Sequence, residues 1–157
     1  MVDLYDYFVQ TDFCSSLLKF IKTICNYLFR KLMNAGQFTK NVLDMDESIL
    51  FAGIVEKSGH LSSSNQRVAV DEYLKGRNLE MVYSQSVYVT DLRKMLSSSF
   101  GNLNSIIYVY ENLKMLLFPI KDHVLLIFIN KNVETDDLTK KIFEYKNSLN
   151  NLDLYSM

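Results

Sequence analysis

The stretch Ile106-Ile107-Tyr108-Val109-Tyr110-Glu111-Asn112-Leu113-Lys114-Met115-Leu116-Leu117-Phe118-Pro119-Ile120-Lys121-Asp122-His123-Val124-Leu125-Leu126-Ile127-Phe128-Ile129 decides the fold. It holds three apolar runs of strand length with polar turn residues between them. Ile106 to Tyr110 is β-branched and aromatic throughout, the composition of a strand. Glu111-Asn112 then turns tightly into Leu113–Phe118, and Pro119 falls at that strand's end, where its missing N–H does least harm. Lys121-Asp122-His123 turns again into Val124–Ile129, an apolar run without alternation and therefore a strand buried on both faces. Together these runs predict a three-stranded meander.

Upstream, Ile49-Leu50-Phe51-Ala52-Gly53-Ile54-Val55 is another unbroken apolar run and predicts a central strand. The small residues Ala52 and Gly53 point to a helix packed closely over it. Glu56-Lys57-Ser58-Gly59 is turn chemistry. The partner strand, His60–Gln66, is so polar that it belongs at a sheet edge if it pairs at all. A short helix is expected over Phe38–Met45. A long helical region follows from Val68 to Phe100, broken at Gly76-Arg77-Asn78 and closed by Gly101-Asn102. Its second part places Leu79, Val82, Ser86, Val89, Arg93 and Leu96 on one stripe, with Tyr83, Leu92 and Met95 beside it. The last helix opens at Thr135, with Asp136 and Asp137 against the positive end of its dipole and a stripe of Leu138, Ile142, Tyr145 and Leu149.

The N-terminal part reads differently. Phe13–Met33 contains no Pro, Gly or acidic residue, and its apolar arc is wider than the stripe of about 100° usual for a surface helix. Lys19, Lys22 and Arg30 gather on the polar side, while Ile21 and Leu28 lie within the apolar arc. Ala35-Gly36 is expected to end this helix, with Gly36 in the left-handed conformation. A cationic, acid-free polar face suits a membrane interface; a partner protein or a second copy would equally cover the wide apolar arc, and that reading is preferred. Charges interrupt the segment too often for a transmembrane span. The expected organisation is an amphipathic extension over residues 1–35, an α+β domain over 36–152 and a tail over 153–157.

Composition narrows the function. The chain has 157 residues, 48% hydrophobic and 22% charged, with a net charge of −1; this is the balance of one globular domain. A sequence pI near 6.1 argues against nucleic acid as a partner, because such binders are usually strongly basic. Cys14 and Cys25 stand eleven positions apart, or roughly 16 Å along a helix, well beyond the span of about 7 Å that a disulfide tolerates. Two such thiols suit a reducing cytoplasm. Asp3 and Asp6 occupy the place where a secretory leader would be basic, so none is expected.

No phosphate-binding glycine loop, His-Glu-x-x-His pair, Cys-x-x-Cys pair or nucleophile elbow occurs in the sequence, so neither enzyme activity nor a cofactor or metal is expected. His60 and His123 both fall in expected turns, where a solvent-facing imidazole is the ordinary outcome. Ser62–Ser64 reads more safely as a loop than as an anion-binding nest. Tyr108 and Tyr110 suit cross-strand packing or an interface better than a pocket. The strongest interaction candidate is the edge made by Ile106, Tyr108, Val109 and Tyr110, which carries no Lys, Pro or other protection against pairing.

The order α-β-β-α-β-β-β-α over Ile49–Leu61 and Ser105–Lys141 resembles the roadblock (dynein light chain) domain, which is related to profilin-like and longin-like folds. Phe51–Gly59, Leu96–Gly101 and Phe118–Ile127 are also similar to a group of archaeal proteins with this architecture. The resemblance covers about residues 37–150 and departs from the pattern at Ser62–Ser64, where an apolar strand is usual, and at the added Phe13–Met33 helix. It implies a five-stranded antiparallel sheet flanked by helices, and homodimers formed through the long helix and the third strand. It also implies partners among small Ras-like GTPases or scaffold complexes, and with them a non-enzymatic regulatory or scaffold role. The alternative is a small-molecule sensor built on a PAS- or profilin-like sheet. The central strands offer almost none of the convergent polar groups such a pocket needs.

Overall fold

Asn34 starts the described part of the chain as a helix cap. In the computed structural model, which describes residues 34–69 and 77–148, its side chain accepts a hydrogen bond from the Gln37 N–H at 2.8 Å. Helix α1 therefore spans Ala35–Asp44 and begins three residues before the expected Phe38. Gly36 lies in its first turn instead of ending a preceding helix. The described residues fall within one compact unit, Asn34–Asn150. The expected Phe13–Met33 helix and the 153–157 tail lie outside the described residues.

Five strands follow the expected order: β1 (Ile49–Val55), β2 (Leu61–Gln66), β3 (Ile106–Val109), β4 (Leu113–Ile120) and β5 (His123–Asn130). They form one antiparallel sheet in the order β2-β1-β5-β4-β3. The two unbroken apolar runs, β1 and β5, lie side by side inside it and are buried on both faces. Helix α2 (Arg77–Lys94), the short α3 (Ser97–Phe100) and α4 (Thr135–Ser148) complete the fold. Arg77 and Asn78 are the first residues of α2; the expected break at Gly76 and the helical stretch expected before it from residue 70 lie outside the described residues. The helix stops at Lys94, so the expected run to Phe100 is divided in two.

Alternation sorts the side chains between two faces. Phe51, Val55, Met115, Leu117, Val124, Leu126 and Phe128 form one core layer with Tyr83 and Val87 of α2. Ala52, Ile54, Leu116, Leu125, Ile127 and Ile129, all fully buried, face the other way. That face carries α1 and α4, joined by the stacked rings of Phe38 and Tyr145, whose centroids lie 5.5 Å apart, and by the Asn41 amide donating to the Tyr145 hydroxyl at 2.8 Å. Burial raises the Tyr145 phenol pKa and lowers that of the Lys146 ammonium. Lys146 nonetheless finds the Pro119 carbonyl at 3.2 Å.

Polar β2 has a physical reason. Asn65 faces α1, and its amide donates to the Gly36 carbonyl at 3.0 Å and to the Thr39 hydroxyl at 2.8 Å. Ser62–Ser64 is thus paired strand and not a loop, with a bulge at Ser62, since Ile54 pairs with Ser63 and Val55 with Leu61. Arg67 then ties the sheet to the end of α1. Its guanidinium donates to the Leu43 carbonyl at 2.7 Å and to the Ile49 carbonyl at 3.2 Å.

Three local expectations change. His123 is the first residue of β5 and is buried, unlike the exposed His60. Strand β4 runs on through Pro119, which pairs with Val124; β3 begins only opposite Leu117, so no ladder bond is lost on that side. Gly53 is small because of its own strand rather than a helix. A Cβ there would lie 2.7 Å from the tip of the Phe51 ring and 2.9 Å from Leu61 Cδ1. Gly59, by contrast, holds the turn as expected, with φ +84° and a hydrogen bond to the Glu56 carbonyl at 2.9 Å.

Candidate functional site

Among the described residues β3 is the last strand of the sheet and an open edge, pairing on one side only, with β4 from Ile106↔Leu117 to Val109↔Lys114. Of the four edge residues expected from sequence, Ile106 and Tyr108 turn inward, half-buried against the α2 core layer. Val109 is 71% exposed and Tyr110 53% exposed. Ile107, which the sequence reading passed over, projects to the same side as Val109 and is also exposed. Lys19, Ile21, Lys22, Leu28 and Arg30 lie outside the described residues.

Helix α2 extends the apolar surface. Its buried side is Tyr83, Ser86, Val87 and Thr90, with Leu79 and Val82 partly covered. The expected stripe holds over its first half, at Leu79, Val82, Tyr83 and Ser86, with Val89 half-buried; towards and beyond the end of the helix Leu92, Arg93, Met95 and Leu96 are exposed, as are Met81, Tyr88 and Phe100. Two hydroxyls lie within the buried side. Ser86 donates to the Val82 carbonyl and Thr90 to the Ser86 carbonyl, both at 2.7 Å. Hydroxyls satisfied on the preceding turn can be buried. Met81, Tyr88 and Leu92 recur at helical spacing on that outer side.

Between α2 and the β3–β4 hairpin runs a pair of adjoining clefts of about 400 and 230 Å³, both walled by Val82, Tyr110 and Met115. The larger reaches Leu113 and Phe128, the smaller Val89 and Tyr108. The Tyr108 and Tyr110 rings lie nearly parallel, with centroids 6.4 Å apart. These tyrosines thus line clefts as well as an edge. Among the described residues no three His, Cys, Asp or Glu side chains are grouped to hold a metal ion. No helix among them is long and apolar enough to cross a membrane. What the arrangement offers among the described residues is backbone hydrogen-bonding groups at an open edge, with exposed Ile107, Val109 and Tyr110 on the strand side and an apolar cleft under α2 beside it.

By sequence, the chain matches no protein-family model and no curated protein. By structure, its fold is that of roadblock/LC7 domains. The roadblock/LC7 domain from Streptomyces avermitilis superposes with a TM-score of 0.58 at 7% identity, over 74% of this chain and 95% of that one. The gliding protein MglB from Thermus thermophilus gives 0.56 at 10% identity, over 74% and 85%. MglB in a tetrameric arrangement gives 0.55 at 11% identity, over the same shares. The α+β class, the five-stranded antiparallel sheet and the element order expected from the sequence are all present.

Proposed function

We propose that this chain is a non-enzymatic regulatory or scaffold module that acts through protein–protein contact, with a second copy of itself as its first partner. The observation that carries this reading is the β3 edge: strongly β-forming, free of Lys and Pro, with Val109 and Tyr110 exposed and an apolar cleft beside it that Val82 and Val89 of α2 line. The structural likeness to MglB, which forms a tetrameric arrangement, supports self-association. Val109→Lys tests it. The side chain is exposed, so the change leaves the fold intact while placing a charge on the edge, and it raises the dimer dissociation constant about tenfold or more. Sedimentation velocity at roughly tens of micromolar protein, ample for a standard-size interface, reads the result. Wild-type protein that sediments as a monomer there removes the reading.

The further partner in this proposal is a small Ras-like GTPase or a scaffold complex, the class that the roadblock resemblance implies. Titration of nucleotide-loaded Ras-like GTPases against the purified chain tests it; the absence of binding in both nucleotide states counts against it.

Residues 13–33 form the second element of the proposal: an amphipathic helix that decides where the protein sits and is dispensable for folding. The preferred cover for its apolar arc is protein, and Ile21→Asp or Leu28→Asp then disrupts assembly while charge changes at Lys19, Lys22 and Arg30 do little. With lipid as the cover, each of those cations contributes about 1 kcal/mol at an anionic surface, screened as salt rises. Liposome flotation at low and high salt separates the two. A chain beginning at Met33 keeps the thermal transition of the full-length protein, and loss of that transition refutes the idea.

A further inference from the structure

Exposed apolar side chains gather where α2 gives way to α3. Leu92 is 46% exposed, Met95 75%, Leu96 44% and Phe100 83%. They recur at intervals of three and four residues, and the backbone between them stays helix-like. The Leu96 N–H donates to the Arg93 carbonyl at 3.1 Å, and the Phe100 N–H to the Leu96 carbonyl at 3.0 Å. All four side chains therefore crowd into little more than about two turns. Just past them, a Cβ on Gly101 would meet nothing within 4 Å. Cations border this tip. Arg93 is exposed, and the Lys94 ammonium donates to the Lys121 carbonyl at 3.1 Å, which brings the β4–β5 turn and its exposed lysine alongside. The acids beside them are Asp91, which pairs with Lys94 at 3.4 Å, and Asp122. From Leu92 to Tyr110 the sequence contains no acid at all.

We propose that this tip, Leu92–Phe100 with Lys121 beside it, dips into the headgroup layer of an anionic membrane. Large apolar groups exposed together mark a surface that a protein or a lipid covers, and the chemistry here favours lipid. Met95, Leu96 and Phe100 sit directly against Arg93, Lys94 and Lys121, so apolar and cationic groups share one small surface, as in segments that lie in a membrane interface. The centre of a protein interface is instead depleted of charge. The grooves of this domain also lie elsewhere, under α2, where Val82 and Val89 line them; Leu92 stands on the outer side of that helix. The hydroxyls of Ser98 and Ser99, both exposed between Leu96 and Phe100, suit the polar headgroup level. An anionic surface complements the cations, and an acid-free stretch keeps repulsion out of the buried part. This contact is separate from the one weighed for residues 13–33.

The chain contains no tryptophan, so Phe100→Trp in the full-length protein gives a single reporter at a position open enough to accept it. On mixed phosphatidylcholine–phosphatidylserine vesicles its emission moves to shorter wavelength, and lipids brominated along the acyl chain quench it. Raised salt reverses both effects. Added to the reporter chain, Arg93→Gln or Lys121→Gln weakens vesicle binding about fivefold, the loss of one charge near an anionic surface. Met95→Asp weakens it about tenfold or more. The shift persists when Ile21→Asp is added, which separates this contact from one through residues 13–33. An emission spectrum unchanged by the mixed vesicles overturns the proposal. A shift that Ile21→Asp abolishes does so too, because the lipid contact then runs through residues 13–33. A shift equally strong on phosphatidylcholine alone removes the anionic surface as the partner. A shift produced by a Ras-like GTPase and not by vesicles assigns the tip to protein instead.

Discussion

Gly53→Val lowers the melting temperature by roughly 4–12 °C, the equivalent of about 2–3 kcal/mol. The added methyls enter a space already filled. The Phe51 ring lies along its own strand over Gly53, and a Cβ at that position would sit 2.7 Å from the ring's tip. Leu61, at 2.9 Å, can give way, since it is only partly buried at the sheet edge. Phe51 cannot: it is buried and packed on Phe128 with ring centroids 5.3 Å apart. An unchanged thermal transition would mean that the ring does not occupy this position.

Phe51→Ala has the larger effect on its own, a loss of about 3–5 kcal/mol as for other buried aromatics reduced to Ala. The two substitutions are not additive. Once the ring is gone, the methyls introduced by Gly53→Val fill part of the vacated volume. The double variant is then destabilised by about 1–3 kcal/mol less than the sum of the single changes. Urea unfolding with an unchanged slope measures this coupling. Strict additivity would show that Gly53 is small for some other reason, the close-packed helix expected from sequence among them.

That example marks where sequence reading succeeds and where it stops. The apolar runs at Ile49–Val55 and Val124–Ile129 predicted central strands because only a strand buried on both faces tolerates such composition, and the sheet order places them there. The polar run at Leu61–Gln66 predicted an edge for the converse reason. Which atoms fill the space beside Gly53 depends on a rotamer, which composition does not encode. Helix α2 was read in part: the stripe through Leu79, Val82 and Ser86 faces the core, while Thr90, left off the stripe, is buried because its hydroxyl closes on the Ser86 carbonyl one turn back. His123 misled because adjacency to Lys121-Asp122 looks like turn chemistry, while the two-residue turn is already complete and the imidazole starts the next strand.

The candidate edge was legible only as a segment. Ile106–Tyr110 carries no apolar–polar alternation, so nothing in the sequence says which of its residues face α2. The structure divides them, Ile106 and Tyr108 inward, Ile107 and Val109 on the reverse face. That division is set by the pairing with β4.

The two rims of the sheet are unlike, and the difference limits growth. On β2, a bulge at Ser62 interrupts the regular spacing, five of its six residues are polar and Asn65 is engaged with α1; on β3 the spacing is even and the side chains apolar. Joining two copies through β3 leaves β2 at both outer margins, where irregular spacing disfavours another strand. On the proposed pairing, edge contact closes at two copies with no route to an open filament, and concentrated protein is expected to stay dispersed where a sheet with two smooth rims would polymerise.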